Sequence, residues 1–424
     1  MTQSMPPSSW TETTIRGCLA DEFPGAWGSE PGRDGPNAHI LRSTNLDDDG
    51  HINFATAAKR WIDEPHLTQR RLRDGDVLLE SSGGGPGKPV GRVAHFQAPD
   101  SIAYLSSNFF RTLRPDETKV DSRFLAWRLL DLYRQPRIWN FQQQTTGIIN
   151  LKTKDYLQQR FHLPEKPEQS RIALVLDTVD EAIAKTEAVI AKLRQMRAGL
   201  LHDILTRGLD KNGQLRDPIA HPEQFQDSPL GRIPKEWQVA TLVSRISLPQ
   251  GQVDPKALPF CDWTLVAPDH IESETGRLLA RQTARQQDAI SGKYVFESGD
   301  VVYSKIRPYL RKAVLADERG LCSADMYPLR PNAGVNSRFL LAAVLGEPFS
   351  RFASAVSMRS GFPKLNRDEL AEFTMAWPSP DEQDRIAAVL SASDEEQLAV
   401  ELELSKLHQL KSGLMTDLLT GRVR

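Results

Sequence analysis

The stretch PEKPEQSRIALVLDTVDE (164–181) returns as PSPDEQDRIAAVLSASDE (378–395), and this repeat determines the organisation of the chain. The offset of 214 residues continues without a gap to LRQMRAGLLHDILT (193–206) and LHQLKSGLMTDLLT (407–420). Ordered, gap-free identities of this kind predict one structural unit that occurs twice.

The matches continue upstream of these tails at larger offsets. DGDVLLES (74–81) and SGDVVYSK (298–305), 224 residues apart, have the pattern of strands opened by a Gly-Asp turn. SRFLAWRLLDLY (122–133) and SRFLLAAVLG (337–346), 215 residues apart, have the pattern of short amphipathic helices. Each half is therefore expected to contain a mixed α/β (α+β) globular part followed by a long tail. Small insertions in the globular part change the offset between the halves, whereas the tail repeats without a gap.

The tails predict two long helices with apolar residues at alternating steps of four and three, as in the a/d seam of a coiled coil. In the first tail the seam is Ile172, Leu176, Val179, Ile183, Thr186, Ile190 and Leu193, and Met196, Leu200 and Ile204 continue it with a slip in phase. In the second tail it is Ile386, Leu390, Ser393, Gln397, Val400, Leu404 and Leu407. A helix of about 38 residues is about 57 Å long and cannot bury its seam alone. The two helices are therefore expected to pair as an antiparallel coiled coil with pseudo-two-fold symmetry.

Two polar residues interrupt the second seam. Ser393 and Gln397 occupy the positions of Val179 and Ile183 in the first tail. Polar residues buried in a seam fix the register or the partner at a cost in stability. The alternative is that this part of the helix faces solvent or another protein, and the sequence leaves both interpretations open.

The segment 208–234 is rich in Gly, Pro, Asp and Gln and lacks helical periodicity, so it is interpreted as a connector. The predicted organisation has five parts: a globular domain (1–164), a helix (165–208), a linker (209–230), a second globular domain (231–378) and a second helix (379–424).

The composition excludes several protein classes. Three well-separated cysteines among 424 residues argue against a disulfide scaffold. The absence of a signal-peptide pattern and of an apolar run of membrane-spanning length predicts a cytoplasmic protein without a membrane segment. The net charge of −2 divides into −6 for residues 381–407 and +4 for the remainder, so the acidic helix is not expected to be a DNA face. Its acidic run is interpreted either as a solvated face or as a surface for a basic partner.

Two motifs carry a resemblance to a known family. GRIPKEWQVATL (231–242) resembles the G-x-I-P-x-x-W-x-x-x-x-L opening of a target-recognition domain. Each tail, with P-x-x-x-E-Q-x-x-I-A-x-x-L-x-x-x-D and a closing L-L-T or I-L-T, resembles the helical region that follows such a domain. Nearly the whole chain thus resembles the specificity subunit of type I restriction–modification systems.

The resemblance implies a DNA-binding subunit without catalytic activity of its own. Each globular domain would recognise one half of a split target in double-stranded DNA. The paired helices would set the distance between the half-sites and bind two modification (methyltransferase) subunits, which restriction subunits would join. S-adenosylmethionine, ATP and magnesium would be bound by those partners, and no cofactor or metal is expected in this chain.

The DNA-contact candidates are basic, hydroxyl and amide side chains in loops of the two domains, because such groups bind phosphates and base edges. In the first domain they are Ser81, Ser82, Lys88 and Arg92 in a glycine-rich loop, and Gln142, Gln143 and Gln144. In the second domain they are Arg281, Arg285, Lys305, Arg307, Tyr309, Arg311, Lys312, Ser357, Arg359 and Ser360. The alternative interpretations are solvated loops, or for the segments 140–147 and 357–361 packing between domains.

Two other classes of function remain open from the residues alone. One is a coiled-coil assembly or adaptor protein that does not recognise DNA directly. The other is a self-contained nuclease or methyltransferase, against which the lack of a catalytic constellation argues.

Overall fold

The duplication in the sequence corresponds to two structural units. The computed structural model describes residues 7–33, 35–85, 87–145, 147–357 and 363–422. Unit 1 consists of Met1–Glu187 and Leu402–Arg424, and unit 2 of Ala188–Glu401. The unit boundaries fall inside the two long helices, so each helix contributes one part to each unit.

Unit 1 combines short strands with three whole helices and parts of the two long helices. Its strands are β1 (Thr11–Thr14), β2 (Leu19–Pro24), β3 (Ala38–Leu41), β4 (Ala58–Arg60), β5 (Val77–Glu80), β6 (Ser82–Gly83), β7 (Val93–His95), β8 (Tyr104–Ser106), β9 (Phe110–Pro115), β10 (Gln142–Thr145), β11 (Ile148–Leu151) and β12 (Arg160–Leu163). Its helices are α1 (Glu64–Arg70), α2 (Ser122–Arg134), α3 (Thr153–Leu157), the first part of α4 (Lys166–Arg207) and the last part of α8 (Pro380–Leu418).

Four strands of unit 1 form an antiparallel sheet in the order β2-β9-β5-β7. A second sheet has the order β4-β3-β8, with β3 parallel to β8. Further pairings join β10 to β11 to β6, and β1 to β12. Helix α2 packs against the first sheet, and its buried residues Phe124, Leu125 and Leu129 belong to the main hydrophobic core of the unit.

Unit 2 repeats this plan. Its strands are β13 (Phe225–Ser228), β14 (Gly231–Pro234), β15 (Gln238–Thr241), β16 (Ile246–Ser247), β17 (Leu265–Val266), β18 (Tyr294–Phe296), β19 (Val301–Ser304), β20 (Ala313–Leu315), β21 (Gly320–Cys322), β22 (Met326–Pro331) and β23 (Thr374–Trp377). Its helices are the last part of α4, α5 (Ser337–Leu345), α6 (Glu347–Ser357), α7 (Arg367–Glu372) and the first part of α8 (Pro380–Leu418). The sheet β16-β22-β19-β20 has the order of its counterpart in unit 1, and β17 is parallel to β21 as β3 is to β8.

The strands predicted at the Gly-Asp turns and the two amphipathic helices are confirmed as β5, β19, α2 and α5. The aspartate of each turn is buried and accepts a bidentate arginine from a neighbouring strand. Arg114 donates to Asp76 at 2.9 and 2.8 Å. Arg330 donates to Asp300 at 2.9 and 2.8 Å. The repeat therefore preserves this pair because a buried carboxylate must be neutralised.

The repeated glutamine of the tails joins each long helix to its globular part. The side chain of Gln169 donates to the Pro164 carbonyl and accepts the Asp121 N–H at 2.8 Å. In unit 2 the side chain of Gln383 donates to the Pro378 carbonyl and accepts the Asn336 N–H at 3.0 Å. Asp121 and Asn336 cap the N-termini of α2 and α5, so one side chain connects two helix starts.

Within each unit the parts of α4 and α8 pair antiparallel, as predicted. In unit 1 the side chain of Lys411 on α8 binds Asp180 on α4. In unit 2 Arg197 on α4 binds Asp394 on α8. The offset of 214 relates Arg197 to Lys411 and Asp180 to Asp394, so the duplication has kept one interhelical ion pair per unit.

The seam residues differ in burial. The fully buried members are Ile172, Leu176, Ile183, Ile190, Ile386 and Leu390. The half-buried members are Val179, Thr186, Leu193, Ser393, Val400, Leu404 and Leu407. Gln397 is 3% exposed and donates to the Glu401 carboxylate. Of the two interpretations of this polar seam residue, the structure therefore supports burial.

The predicted continuation of the first seam through Met196 is wrong, because this side chain is 58% exposed. Arg197 takes the next position and pairs with Asp394, while Leu200 is half-buried and Ile204 is buried. The seam thus continues with a step of four from Leu193 to Arg197. A pattern of apolar residues cannot detect this step, because Arg197 is charged.

The connector is more ordered than its composition indicates. It contains the hairpin β13–β14, and it returns Arg216 to the start of α8. There Arg216 donates to the buried Glu382 at 2.5 and 3.0 Å. This contact ties the connector to unit 2.

Candidate nucleic-acid interface

One three-segment frame occurs in both units. In unit 1 the Ser81 N–H donates to the Phe109 carbonyl at 2.8 Å, and the Leu151 N–H donates to the Ser81 carbonyl at 2.9 Å. In unit 2 the Lys305 N–H donates to the Asp325 carbonyl at 3.0 Å, and the Leu365 N–H donates to the Lys305 carbonyl at 2.8 Å. The backbone bonds are therefore the same at equivalent positions.

The side chains on this frame differ between the units. We call residues 81–83, 107–109 and 149–151 surface 1, and residues 305–307, 323–325 and 363–365 surface 2. Ser81 corresponds to Lys305, Phe109 to Asp325, and Asn150 to Lys364. A constant backbone that carries different side chains is what two domains with different binding preferences require.

Surface 1 is neutral. The Ser82 hydroxyl lies 2.7 Å from Asn150 Oδ1, and the Ser81 hydroxyl donates to the Phe109 carbonyl at 3.1 Å. Of the predicted amides on the adjoining strand β10, Gln143 and Gln144 are exposed. The side chain of Gln142 instead bonds to the backbone of Val90, so its polar groups are occupied within the unit.

Surface 2 is cationic. Lys305 is only 6% exposed, and its Nζ lies 4.7 Å from the centre of the Tyr327 ring. Burial, followed by the nearby charge of Lys364, lowers the pKa of the Lys305 ammonium. Arg367 stacks on the same ring at 5.5 Å. Among the described residues none of these three cations has an acidic partner within ion-pair distance, so the cluster is suited to an anion.

The glycine-rich loop contains two basic candidates in different environments. Lys88 is exposed and lies 3.4 Å from the exposed Asp48. Arg92 is largely buried and donates to both carboxylate oxygens of Glu80, at 2.6 and 2.9 Å, and to the carbonyls of Ser43 and Leu46. The hydrogen bonds to Glu80 raise the pKa of Arg92. The Arg92 guanidinium therefore holds the loop rather than pointing at a ligand.

This difference gives a direct test. Replacing Arg92 by alanine is expected to destabilise unit 1 by about 3 kcal/mol, because the buried Glu80 is left unpaired. Replacing Lys88 by alanine should change the free energy of unfolding by less than about 0.5 kcal/mol. It should lower the affinity for DNA and make that affinity less dependent on salt concentration. Thermal unfolding and salt-dependent DNA titration of both variants provide the comparison. An Arg92 variant of unchanged stability would contradict its assignment to the fold.

The basic loop of unit 2 presents an exposed ring. Tyr309 is 56% exposed, and Arg307 and Arg311 on either side of it have left-handed φ angles of 48° and 47°. The side chain of Lys312 donates to the Pro268 carbonyl at 2.8 Å, and Arg311 lies 3.8 Å from Glu274. Arg307 and Tyr309 are thus the outward residues of this loop.

The remaining predicted contacts of unit 2 lie elsewhere. Arg281 pairs with Asp317 at 2.5 Å, and Arg285 pairs with Asp262 at 2.9 Å, so both guanidinium groups have carboxylate partners. Ser357 is buried at the end of α6 and donates to the Ser354 carbonyl. Arg359 and Ser360 lie outside the described residues.

Several residues on or beside these surfaces were not predicted from the sequence: Phe109, Asn150, Lys364 and the neighbouring Arg367. They lie far along the chain from the loops with an obvious basic or glycine-rich composition. The repeat contained a signal for two of them. Asn150 and Lys364 hold equivalent positions, directly before matching leucines, and yet differ in charge.

Other kinds of site have little support. Within the part of the chain that the structure describes, no group of three or more His, Cys, Asp or Glu side chains could hold a metal ion. In the same residues no single helix is long and apolar enough to cross a membrane. The bent pair α5 and α6 meets that criterion only when taken together.

Comparison with known proteins identifies relatives at the sequence level. The chain is 30% identical to the EcoDI type I restriction enzyme specificity subunit of Escherichia coli over 285 residues, which is 62% of each protein. It is 22% identical to the MjaVIII specificity subunit of Methanocaldococcus jannaschii over 295 residues, or 67% of this chain and 66% of that protein. The matched part spans less than two thirds of the length of these relatives.

Solved structures share the fold. The S subunit of a type I restriction–modification system from M. genitalium superposes with a TM-score of 0.58 at 15% identity, covering 98% of this chain and 99% of that one. A chain from a structural study of assembly and conformational transition in the type I R-M system gives 0.57 at 15% identity, covering 99% and 100%.

The family assignment follows from the extent of the match. The model of the type I restriction modification DNA specificity domain matches residues 39–195 and 276–409, which is more than half of the sequence. The chain belongs to the family of type I restriction–modification DNA specificity domains.

Proposed function

We propose that this chain is the DNA sequence-specificity subunit of a type I restriction–modification complex, in which each unit binds one half of a bipartite target. The observation that carries this proposal is the duplicated frame of surfaces 1 and 2. Its backbone bonds are repeated, while its side chains change from neutral to cationic. Two similar modules with different chemistry suit an asymmetric target.

The charge distribution supports contact with DNA through the globular parts. Lys364 of surface 2 and the neighbouring Arg367 can neutralise phosphates, while exposed amides such as Gln143 and Gln144 near surface 1 can bond adenine edges. The acidic residues Glu382, Asp394 and Glu401 on α8 are paired with arginines of unit 2, so part of the acidic run serves internal contacts.

The long helices are proposed to set the spacing between the half-sites and to bind two modification subunits, which restriction subunits join. Family membership and the rigidity of paired helices compared with a flexible linker support this role. The chain is proposed to be non-catalytic and cytoplasmic, with S-adenosylmethionine, ATP and magnesium bound by its partners.

A domain exchange tests the modular assignment. Residues 231–378 are replaced by the corresponding segment of another specificity subunit, and the methylated target is determined by methylome sequencing in cells that contain the partner subunits. The expected result is a new sequence in one half-site and an unchanged sequence in the other. A change in both half-sites would contradict the assignment of one half-site to each unit.

Two controls separate the alternatives. If the assembled complex shows no salt-dependent DNA binding, the result would favour an adaptor protein that does not recognise DNA. Methylation or cleavage by the purified chain alone would favour a self-contained enzyme.

A further inference from the structure

Surface 2 has an ammonium and a carboxylate side by side at the end of one strand pair. The register of β19 with β22 runs to Ser304 and Met326, and the next step places Lys305 opposite Asp325. The Asp325 carbonyl accepts the Lys305 N–H at 3.0 Å. Residues directly opposite each other in an antiparallel pair carry their side chains on the same face, with Cβ atoms about 5 Å apart.

Neither charge is paired within the part of the chain that the structure describes. Burial and then the charge of Lys364 lower the pKa of Lys305, and the nearby Asp325 carboxylate opposes this shift. In the same residues neither side chain has a hydrogen bond or an ion pair. The Lys305 Nζ is also not one of the enclosed side-chain atoms that lack a partner, so it has an opening to solvent.

The side chain of Lys305 is held in place by its surroundings. The residue is 6% exposed, and Nζ lies 4.7 Å from the centre of the Tyr327 ring and 6.0 Å from that of Tyr294. An enclosed stem lacks the mobility that lysine side chains ordinarily have, so a ligand atom must meet the ammonium at one place. This arrangement suits recognition of a defined atom.

The neighbouring carboxylate narrows the class of ligand. A phosphate that bound Lys305 would also meet Asp325, and the two negative charges would repel each other. The major-groove edge of a G·C pair fits both groups, because guanine N7 and O6 are adjacent acceptors and cytosine N4 beside them is a donor. In an A·T pair the adenine N6 donor lies between the two acceptors and would face the ammonium.

Unit 1 cannot make this contact from the equivalent positions. Lys305 corresponds to Ser81 and Asp325 to Phe109. The Ser81 hydroxyl donates to the Phe109 carbonyl at 3.1 Å, and the Phe109 side chain has no polar atom. The two charges are therefore a property of unit 2 and not a requirement of the shared frame.

We propose that Lys305 and Asp325 recognise one G·C pair in the half-site of unit 2 from the major groove. Lys305 donates to guanine N7 and O6, and Asp325 accepts from cytosine N4. This inference rests on the proposed DNA-binding function and assigns base specificity to two residues of surface 2. A base pair without this pattern leaves the two charges desolvated and without partners, which is the physical basis of the discrimination.

The test uses the complex of the full chain with its modification subunits and duplexes that carry its methylated target. The unit 2 half-site is the one that changes when residues 231–378 are exchanged. 7-Deazaguanine, which lacks the N7 acceptor, replaces each guanine of this half-site in turn. At one position we expect wild-type binding to weaken by about 10-fold, the loss of one charge-assisted hydrogen bond. The analogue should have no effect on Lys305→Met, because the donor is gone.

A second variant tests the cytosine side. Pyrimidin-2-one opposite the same guanine lacks the N4 amino group, so it should weaken binding by the wild-type protein but not by Asp325→Ala. Asp325 is only half-buried, and its replacement is expected to leave unit 2 folded. Lys305→Met should keep the thermal unfolding temperature, because it removes a buried ammonium that has no partner and retains an apolar stem.

Lys293→Met is the matched control. Lys293 is 7% exposed in the same unit, but its Nζ donates to the carbonyl and the hydroxyl of Ser291 at 2.6 and 2.8 Å. 7-Deazaguanine should weaken binding by this variant as much as by the wild-type protein.

The outcomes distinguish the inference from the proposed function. If Lys305→Met weakens binding to all sequences equally and remains sensitive to 7-deazaguanine, Lys305 contacts a phosphate and the inference is overturned. A unit 2 half-site without a G·C pair also overturns it, as does inosine, which lacks only the minor-groove amino group, if it reproduces the effect of 7-deazaguanine. A wild-type complex without specific DNA binding contradicts the proposed function itself.

Discussion

Replacing Glu382 by glutamine is expected to destabilise unit 2 by about 3–5 kcal/mol, the cost of leaving a buried charge without its partner. The Glu382 side chain is fully buried and binds three groups: the Arg216 guanidinium, the Trp237 Nε1–H at 3.1 Å and the Leu209 N–H at 2.9 Å. One carboxylate thus joins the connector, the start of the globular part and the start of α8. The exposed Glu236, 3.6 Å from Arg216, can replace little of this charge.

Urea unfolding combined with hydrogen exchange of the segments around Trp237 and Arg216 measures the effect. Glu168→Gln is the matched control, because Glu168 holds the same position in the repeat but is half-buried. We expect this control to change stability by less than about 0.5 kcal/mol. Equal effects of the two substitutions would mean that the buried cluster does not stabilise unit 2.

Replacing Asp180 by alanine is expected to destabilise unit 1 by about 2–4 kcal/mol. Its carboxylate binds the Lys411 ammonium, which is almost completely buried in the helix seam, and His51 Nε2 at 2.8 Å. The substitution therefore removes the interhelical ion pair and the attachment of the loop at His51. Asp394→Ala, its equivalent in unit 2, should have a smaller effect, because Asp394 is more exposed.

The same substitution should change the pH dependence of stability. Hydrogen bonds to Asp180 and then to Asp47 raise the pKa of His51 from 6.5 to about 10. Because the folded-state pKa lies above the unfolded value, the contribution of protonated His51 is complete below pH 6.5 and is lost as the pH rises through about 10.

Unfolding measurements at pH 6 and pH 9 test this linkage. The stability of unit 1 in the wild-type protein should fall between the two values, and in Asp180→Ala the fall should be smaller. An equal fall in both proteins would show that His51 does not contribute through Asp180.

Much of the fold could be predicted from the sequence because it depends on local patterns. The strands after the Gly-Asp turns, the amphipathic helices at 122 and 337 and the two long tails all have periodicities that are visible without a partner. The repeat also predicted that one unit, a globular part followed by a long helix, would occur twice. Beyond Leu193 the seam was predicted wrongly only at Met196, because Arg197 takes the next position and pairs with Asp394, a residue 197 positions away.

The environments of the candidate DNA-contact residues could be predicted less well than the fold. Composition indicated Arg92, Arg281 and Arg285, but it could not show that each of these guanidinium groups has a carboxylate partner. Glu80, Asp317 and Asp262 occupy these three. Phe109 and Lys364 have no local signature, since a backbone hydrogen bond and an isolated β-bridge between remote segments bring them to the frame.

The sequence by itself determined that the chain is a duplicated unit with a globular part and a long helix, and its motifs indicated the family. The reason is that periodicity, caps and repeats are properties of neighbouring residues. Only the tertiary structure decided which charges are paired and which loops face outward. Those features depend on contacts between residues that are remote in the chain. In the two copies of the unit the backbone contacts are the same, but the side chains at the corresponding positions differ.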